Sequence, residues 1–130
     1  MSLKSIAAVD YTVIIARDMP AMRQFYGSVL GFRFVRQLGE AWFEYQVGPN
    51  LLALAQPRRT ASDPPMPKGA AALQLAFKVA YAEVDACARE LRACGVTILE
   101  EPRDQPFGHR TLFFRDPDGN LLEVYADTPS

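Results

Sequence analysis

Apolar side chains recur along the chain with two different periods, which predicts an alternation of strands and helices. Residues 10–16 are rich in β-branched side chains and predict a strand. Asp18 then fits the N-cap of a helix, with Pro20 in its first turn and Gly31 at its end. One face of this helix is apolar and consists of Met22, Phe25, Tyr26, Val29 and Leu30. Three strands should follow, at residues 32–38, 41–47 and 51–55.

The second half of the chain repeats this order of elements. Residues 71–79 predict a strand, residues 81–94 an amphipathic helix that stops at Gly95, and residues 96–100 a short strand. A Pro-rich loop then leads to a hairpin over residues 108–125. The order is therefore βαβββ twice, which predicts an α+β fold of two modules whose curved mixed sheets enclose a cleft.

The last hairpin carries the most distinctive polar residues. Its turn, Asp116-Pro117-Asp118-Gly119, supplies an Asx acceptor, a proline that presets φ, and a glycine able to take positive φ. Glu123 follows in the middle of an otherwise apolar strand, where a buried carboxylate would need a partner.

The two halves can be aligned position by position. The segment 50–54 (Asn-Leu-Leu-Ala-Leu) matches 120–124 (Asn-Leu-Leu-Glu-Val), so Ala53 corresponds to Glu123. Tyr11 and Gln74 hold the same place on the two first strands. We predict a single domain over residues 1–130, with module one at about 8–56, a linker at 57–69 and module two at about 70–127. The connection could instead form a lid over a pocket, because residues 56–69 contain four prolines, two arginines and several small polar residues.

Composition excludes several classes of protein. The chain has 130 residues, 49% hydrophobic and 22% charged, with a net charge of −1, so no excess of charge favours nucleic acid or a membrane surface. No apolar run approaches the roughly 20 residues that span a bilayer. The N-terminus lacks a signal-peptide pattern, so we expect a cytoplasmic protein. Cys87 and Cys94 fall on the apolar stripe of the second helix, which predicts buried, unpaired thiols.

These motifs together resemble the vicinal oxygen chelate superfamily, which includes glyoxalases, bleomycin-resistance proteins and extradiol dioxygenases. The resemblance covers nearly the whole chain in order. It is carried by residues 10–19, by Phe25-Tyr26 with Leu30-Gly31-Phe32, by residues 73–79, and by residues 110–125 with their Asp-Pro-Asp-Gly-Asn turn. It implies a fold of two βαβββ modules and a homodimer, with the modules paired either within one chain or between chains.

The resemblance also implies four metal-ligand positions, on the first and last strands of each module. In this sequence they are Tyr11, Ala53, Gln74 and Glu123, of which only Glu123 is a good ligand. The only histidine, His109, matches none of them and is expected in a loop before the last hairpin. We therefore expect no cofactor and no divalent metal.

Strand alternation predicts what the cleft contains instead. A two-residue turn at Gly48-Pro49 places Glu44 opposite Ala53, and a three-residue turn in the last hairpin places Phe113 on the face of Glu123. The predicted ligand-binding residues are Tyr11, Trp42, Glu44, Gln74, Phe113, Glu123 and Tyr125. A simpler interpretation is that Glu44 is a solvated edge-strand charge and that Glu123 hydrogen-bonds to Tyr11 or Gln74.

Two functions remain open at this point. The first is a protein that binds a small aromatic or cationic organic molecule without a complete metal site. The second is an enzyme, a lyase, isomerase or oxygenase of the glyoxalase or dioxygenase type, with an altered or metal-free site in which Glu123 is the tentative catalytic base. A scaffold that binds a protein partner is a third possibility.

Overall fold

The structure, a computed structural model, describes residues 3–130. The chain divides into two compact units, Met1–Pro65 and Met66–Ser130, here called unit one and unit two. Each unit contains one four-stranded sheet and one predicted βαβββ module. No helix within residues 3–130 has the length and apolar character needed to cross a membrane.

Unit one follows the predicted order of elements. After a 3-10 turn at Leu3–Ser5 come β1 (Tyr11–Ile15), α1 (Met19–Gln24) with a π-helical turn (Phe25–Val29), β2 (Arg33–Gln37), β3 (Trp42–Val47) and β4 (Asn50–Ala55). The strands are ordered β1-β4-β3-β2, and β1 runs parallel to β4 while the other neighbours are antiparallel.

The ends of the first helical segment form as the sequence predicts. The carboxylate of Asp18 accepts a hydrogen bond from the Ala21 backbone N–H at 3.2 Å, which satisfies one of the free donors of the first turn. Gly31 has φ +73°, a conformation that favours glycine and ends the segment. On the helix surface, the guanidinium of Arg23 lies 4.0 Å from the ring centroid of Phe43 on β3.

Unit two repeats the same topology. It contains β5 (Gln74–Lys78), α2 (Glu83–Ala93), β6 (Ile98–Asp104), β7 (His109–Arg115) and β8 (Leu121–Asp127), with strand order β5-β8-β7-β6 and β5 parallel to β8. The predicted α+β fold with two βαβββ modules is therefore correct.

Each sheet buries the side of its central strands that bears the apolar side chains. In unit one the large apolar residues buried on this side of β3 and β4 are Phe43, Tyr45, Leu52 and Leu54. In unit two the corresponding large apolar residues on β7 and β8 are Leu112, Phe114, Leu122 and Val124. Glu44 and Glu123 alternate with these residues and so lie on the other face of their sheets.

Two predicted details of unit two are wrong. We expected the strand after Gly95 to end at Glu100, but β6 continues through Pro102 to Asp104. Proline is tolerated there because β6 is an edge strand with irregular register around residues 98–103. Cys94 is exposed and Cys87 is half-buried, since the buried face of α2 consists of Val84, Ala88 and Leu91.

The turn of the last hairpin is densely hydrogen-bonded. Asp116 accepts from the backbone N–H groups of Asp118 and Asn120, both at 3.0 Å, and from the Asn120 side-chain amide at 2.9 Å. The side-chain oxygen of Asn120 accepts a hydrogen bond from the Ala72 N–H at 3.1 Å, and the Gly69 N–H donates to the Asp118 carbonyl at 2.7 Å. These contacts fix the residues before β5 against the turn.

Candidate functional site

The register of the sheets confirms the internal alignment of the two modules. Tyr11 pairs with Leu51 in the parallel ladder of unit one, as Gln74 pairs with Leu121 in unit two. In the antiparallel ladders Glu44 lies opposite Ala53, and Phe113 lies opposite Glu123. Ala53 and Glu123 are therefore equivalent positions, as are Glu44 and Phe113.

Unit one contains a cavity of about 420 Å³ on the face that carries Glu44. Its apolar lining consists of Tyr11, Leu38, Trp42, Leu51 and Ala53. Its charged lining consists of Asp10, Arg36, Glu44 and Arg59. Three of the predicted ligand-binding residues, Tyr11, Trp42 and Glu44, thus share one cavity.

Glu44 is the organising residue of this cavity. It is only 7% exposed, so the interpretation of Glu44 as a solvated edge-strand charge is wrong. Its Oε1 accepts from Arg36 Nε at 3.0 Å, and its Oε2 accepts from the Trp42 indole N–H at 2.7 Å. The hydrogen bonds from Arg36 and Trp42 lower the pKa of Glu44, because both stabilise the ionised form.

Arg36 reaches this position through an irregularity in β2. Arg33 and Phe34 lie opposite Gln46 and Tyr45, but Arg36 rather than Val35 lies opposite Glu44. Strict alternation would place Val35 there, so the extra residue between Phe34 and Arg36 brings the guanidinium to the cavity face. Sequence reasoning missed Arg36 because a bulge leaves no clear mark in the pattern of apolar residues.

The aromatic wall of the cavity is formed by Tyr11 and Trp42. Their ring centroids are 6.4 Å apart and their planes make an angle of 78°, an edge-to-face arrangement. The guanidinium of Arg59 lies 6.0 Å from the Trp42 ring. Arg59 was also missed, because it belongs to the irregular 56–69 connection and no periodicity places it. Asp10, Leu38 and Leu51 were not predicted either.

The remaining predicted residues lie on the sheet of unit two. Glu123 on β8 is half-buried, and its carboxylate accepts from the Gln74 side-chain amide at a long distance of 3.5 Å. This contact agrees with the simpler interpretation of Glu123. Phe113 lies directly opposite Glu123, and Tyr125 follows two residues further along β8. Gln74, Phe113, Glu123 and Tyr125 therefore share one sheet face.

His109 is the first residue of β7 rather than a loop residue. Its ring centroid lies 4.5 Å from that of Tyr125, and its Nε2 lies 3.6 Å from a carboxylate oxygen of Asp127. Asp127 also contacts the Lys78 ammonium at 3.0 Å. The histidine thus belongs to a polar cluster at one end of β7 and β8.

The four family positions provide a poor donor set for a divalent metal. Tyr11, Ala53 and Gln74 offer a phenol, a methyl group and an amide, and Glu123 is the one carboxylate. Within residues 3–130, no three His, Cys, Asp or Glu side chains are grouped so that they could hold a metal ion. Glu44 already accepts a hydrogen bond on each of its oxygens, and it belongs to no such group of three within these described residues. These residues do not fit a tightly bound transition metal.

Comparison with known proteins assigns the fold to a family. The sequence model of the Glyoxalase/Bleomycin resistance protein/Dioxygenase superfamily matches residues 8–124. The chain belongs to this superfamily. Its fold is similar to that of a glyoxalase/bleomycin resistance protein/dioxygenase from Nocardioides, with a TM-score of 0.84 and 22% identity over 97% of this chain and 87% of that one.

Two further superfamily-like structures are more similar in sequence. A lactoylglutathione lyase from Agrobacterium tumefaciens is 26% identical, with a TM-score of 0.75 over 93% of this chain and 94% of that one. An integron cassette protein from V. cholerae is 28% identical, with a TM-score of 0.72 over 93% of this chain and 95% of that one. The superfamily assignment establishes the fold and leaves the chemistry to be argued from the residues present.

Proposed function

We propose that this superfamily member binds a small organic molecule with an aromatic body in the cavity of unit one, without a divalent metal. The observation that carries the proposal is the cavity itself, in which Tyr11 and Trp42 form an aromatic wall beside a few polar groups. Its volume of about 420 Å³ lies in the range of small-molecule sites. Aromatic walls with few polar contacts suit planar ligands.

Glu44 supports this proposal as a positioning residue. Because it accepts hydrogen bonds from Arg36 and Trp42, it holds both side chains at the cavity wall. Its negative charge is already paired with the Arg36 guanidinium at 3.0 Å, so Glu44 offers little net charge to an incoming cation. The aromatic part of the expected ligand is therefore better supported than the cationic part.

The single tryptophan of the chain provides the test. The protein is dialysed against EDTA and titrated with 4-nitrobenzyl alcohol, a neutral aromatic quencher, while Trp42 emission and the heat of binding are recorded. We expect saturable quenching with the same dissociation constant from both signals. Tyr11→Ala should weaken binding, whereas Phe107→Ala, which removes an exposed aromatic ring of unit two that does not line the cavity, should leave it unchanged. Linear, non-saturating quenching would overturn the proposal.

Independence from metal has its own measurement. Protein purified without chelator should contain far less than one equivalent of Zn, Ni, Fe or Mn by elemental analysis, and its affinity for the probe should be unchanged by EDTA. Stoichiometric metal that disappears in Glu123→Gln would contradict this part of the proposal.

A second candidate function is supported by the exposure of Glu123. Within residues 3–130 the one hydrogen bond of its carboxylate is the long contact with Gln74, so this group remains accessible as a general base. One relative is named as a lactoylglutathione lyase, which makes lyase or isomerase chemistry the first to assay. Chelator-resistant turnover that falls at least about 100-fold in Glu123→Gln would favour this enzyme over the binding protein.

We further propose a homodimer, as the superfamily resemblance implies. The outer strands of unit one expose apolar side chains, namely Ile15 on β1 and Phe34 and Val35 on β2, and both strands lie at sheet edges. Light scattering at micromolar concentration should give twice the mass of one chain. A monomer under these conditions would contradict this proposal.

A further inference from the structure

The charged groups around the cavity of unit one are not equally available to a ligand. Glu44 and Arg36 neutralise each other through the contact at 3.0 Å, and the second oxygen of Glu44 is taken by Trp42. Arg59 and Asp10 also line the cavity, and within residues 3–130 neither forms an ion pair. The carboxylate that holds Trp42 therefore has its charge paired with Arg36 and already accepts a hydrogen bond on each oxygen, while guanidinium donors remain.

Arg36 is arranged to offer such donors. A guanidinium carries five N–H groups in a rigid fork, and Glu44 engages only Nε. Nη1 and Nη2 have no hydrogen-bond partner within the described part of the chain, and 60% of the Arg36 side chain is exposed. The Nη1 and Nη2 groups form one edge of the guanidinium that can bind a carboxylate in a bidentate manner. Because Glu44 already fixes the other edge, less side-chain freedom is lost on binding.

Arg59 provides a second cationic group beside the same ring. Its guanidinium lies 6.0 Å from the Trp42 centroid, and the Trp42 indole is held by Glu44. A flat ligand that contacts Trp42 would thus have Arg59 and the free edge of Arg36 as neighbours along the cavity lining. Asp10 is the one unpaired acidic group of the lining and opposes an anion there.

We infer that the cavity selects an aromatic compound that bears a single anionic group, such as a carboxylate, with Arg36 and Arg59 as its anion contacts. This inference rests on the proposed binding function and specifies the charge of the ligand. It assigns opposite effects to the basic and acidic groups of the lining, because the arginines should strengthen binding of an anion and Asp10 should weaken it.

Three probes with one ring system test the inference. These are 4-nitrobenzoate (anionic), 4-nitrobenzyl alcohol (neutral) and 4-nitrobenzylamine (cationic at pH 7), each titrated by Trp42 quenching and by calorimetry at low salt. We expect the anion to bind about 10-fold more tightly than the alcohol, the magnitude typical of a hydrogen bond to a charged group. The cation should bind more weakly than the alcohol.

Variants identify the groups responsible. Arg59→Gln should reduce the affinity for the anion about 5-fold or more and change the affinity for the alcohol by less than about 2-fold. Asp10→Asn should increase the affinity for the anion. Arg36→Gln should act like Arg59→Gln, but it also leaves Glu44 without its guanidinium, so Arg59→Gln, which breaks no ion pair, is the decisive variant. Arg33→Gln is the matched control, because Arg33 lies on the same strand and does not line the cavity.

The outcomes separate the inference from the proposed function. If all three probes bind alike and Arg59→Gln changes nothing, the anion site is refuted while the aromatic cavity stands. Tighter binding of the cation than of the alcohol would also refute it. If no probe binds with saturation, the proposed function itself fails.

Discussion

The pair Glu44–Ala53 of unit one and the equivalent pair Phe113–Glu123 of unit two each contain one carboxylate, but on different strands. Unit one has Glu44 on β3 opposite Ala53, whereas unit two has Glu123 on β8 opposite Phe113. The glutamate therefore lies on the third strand of its module in unit one and on the fourth strand in unit two. The sheets are otherwise built with the same order and register.

The surroundings of the two carboxylates differ more than their positions. Glu44 is 7% exposed and accepts hydrogen bonds from a guanidinium and an indole. Glu123 is half-buried and has one long contact with an amide. The comparison teaches that an acidic residue inside a strand can serve as an internal organiser or as an accessible group, and that its partners decide which. Burial without such partners would be strongly unfavourable.

The turns before the last strands give the largest expected difference. In Gly119→Ala the new Cβ would lie 2.6 Å from the backbone of Gly69 and the residue would keep φ +98°. The equivalent turn of unit one contains Gly48, which aligns with Asp118 and has φ +54° and no atom within 4 Å of the position that a new Cβ would take. We expect Gly119→Ala to lower the free energy of unfolding by at least about 2 kcal/mol, through strain and overlap, and Gly48→Ala by about 1 kcal/mol. Urea denaturation measures both, and equal losses would contradict the difference between the turns.

Removal of the two carboxylates is the next largest test. Glu44→Ala leaves the Trp42 N–H and the Arg36 guanidinium without their acceptor, so it should lower the free energy of unfolding by about 1–3 kcal/mol. Glu123→Ala removes one long hydrogen bond from a half-buried residue and should stay within about 0.5 kcal/mol. Chemical denaturation followed by circular dichroism compares the pair. A larger loss in Glu123→Ala would show that the roles are reversed.

Much of this arrangement follows from the sequence, because strand alternation and turn length fix register. Turns of two and three residues predicted Glu44 opposite Ala53 and Phe113 on the face of Glu123, and the register agrees with both. The Asx-Pro-Asp-Gly pattern likewise predicted the turn that Asp116 now holds together. Local chemistry was sufficient for these features.

Other features depend on contacts that no local pattern records. Arg36 faces the cavity only because one extra residue in β2 shifts the alternation after Phe34. Arg59 is placed by an irregular segment, and the burial of Glu44 depends on both the bulge and the Trp42 side chain. Pro102 reads as a loop residue, yet an edge strand accommodates it. Each miss arises where tertiary contacts override periodicity.

Acid should affect the Glu44 contacts in a defined direction. Arg36 and Trp42 lower the pKa of Glu44 in the folded state below the value of 4.5 that it has in the unfolded chain. Between these two pKa values the carboxyl group is protonated in the unfolded state and ionised in the folded state. The contribution to stability is therefore complete above pH 4.5 and is lost as the pH falls through the lower folded value. Denaturation at several pH values should show a shallower acid decline in Glu44→Gln than in the wild type. Asp104, whose pKa is lowered by Arg110 and Tyr81, contributes equally to both proteins. Identical slopes would exclude Glu44 as a source of the decline.

The first strands provide the finest comparison, since Tyr11 and Gln74 occupy equivalent places. Tyr11 meets the edge of Trp42 at 6.4 Å but is 50% exposed, so Tyr11→Ala should lower the free energy of unfolding by about 0.5–1 kcal/mol. Gln74→Ala removes only the contact at 3.5 Å with Glu123 and should have an effect below about 0.5 kcal/mol. Trp42 emission distinguishes the two variants further, because only Tyr11→Ala changes the surroundings of the indole. An equally strong shift of Trp42 emission in Gln74→Ala would contradict this prediction.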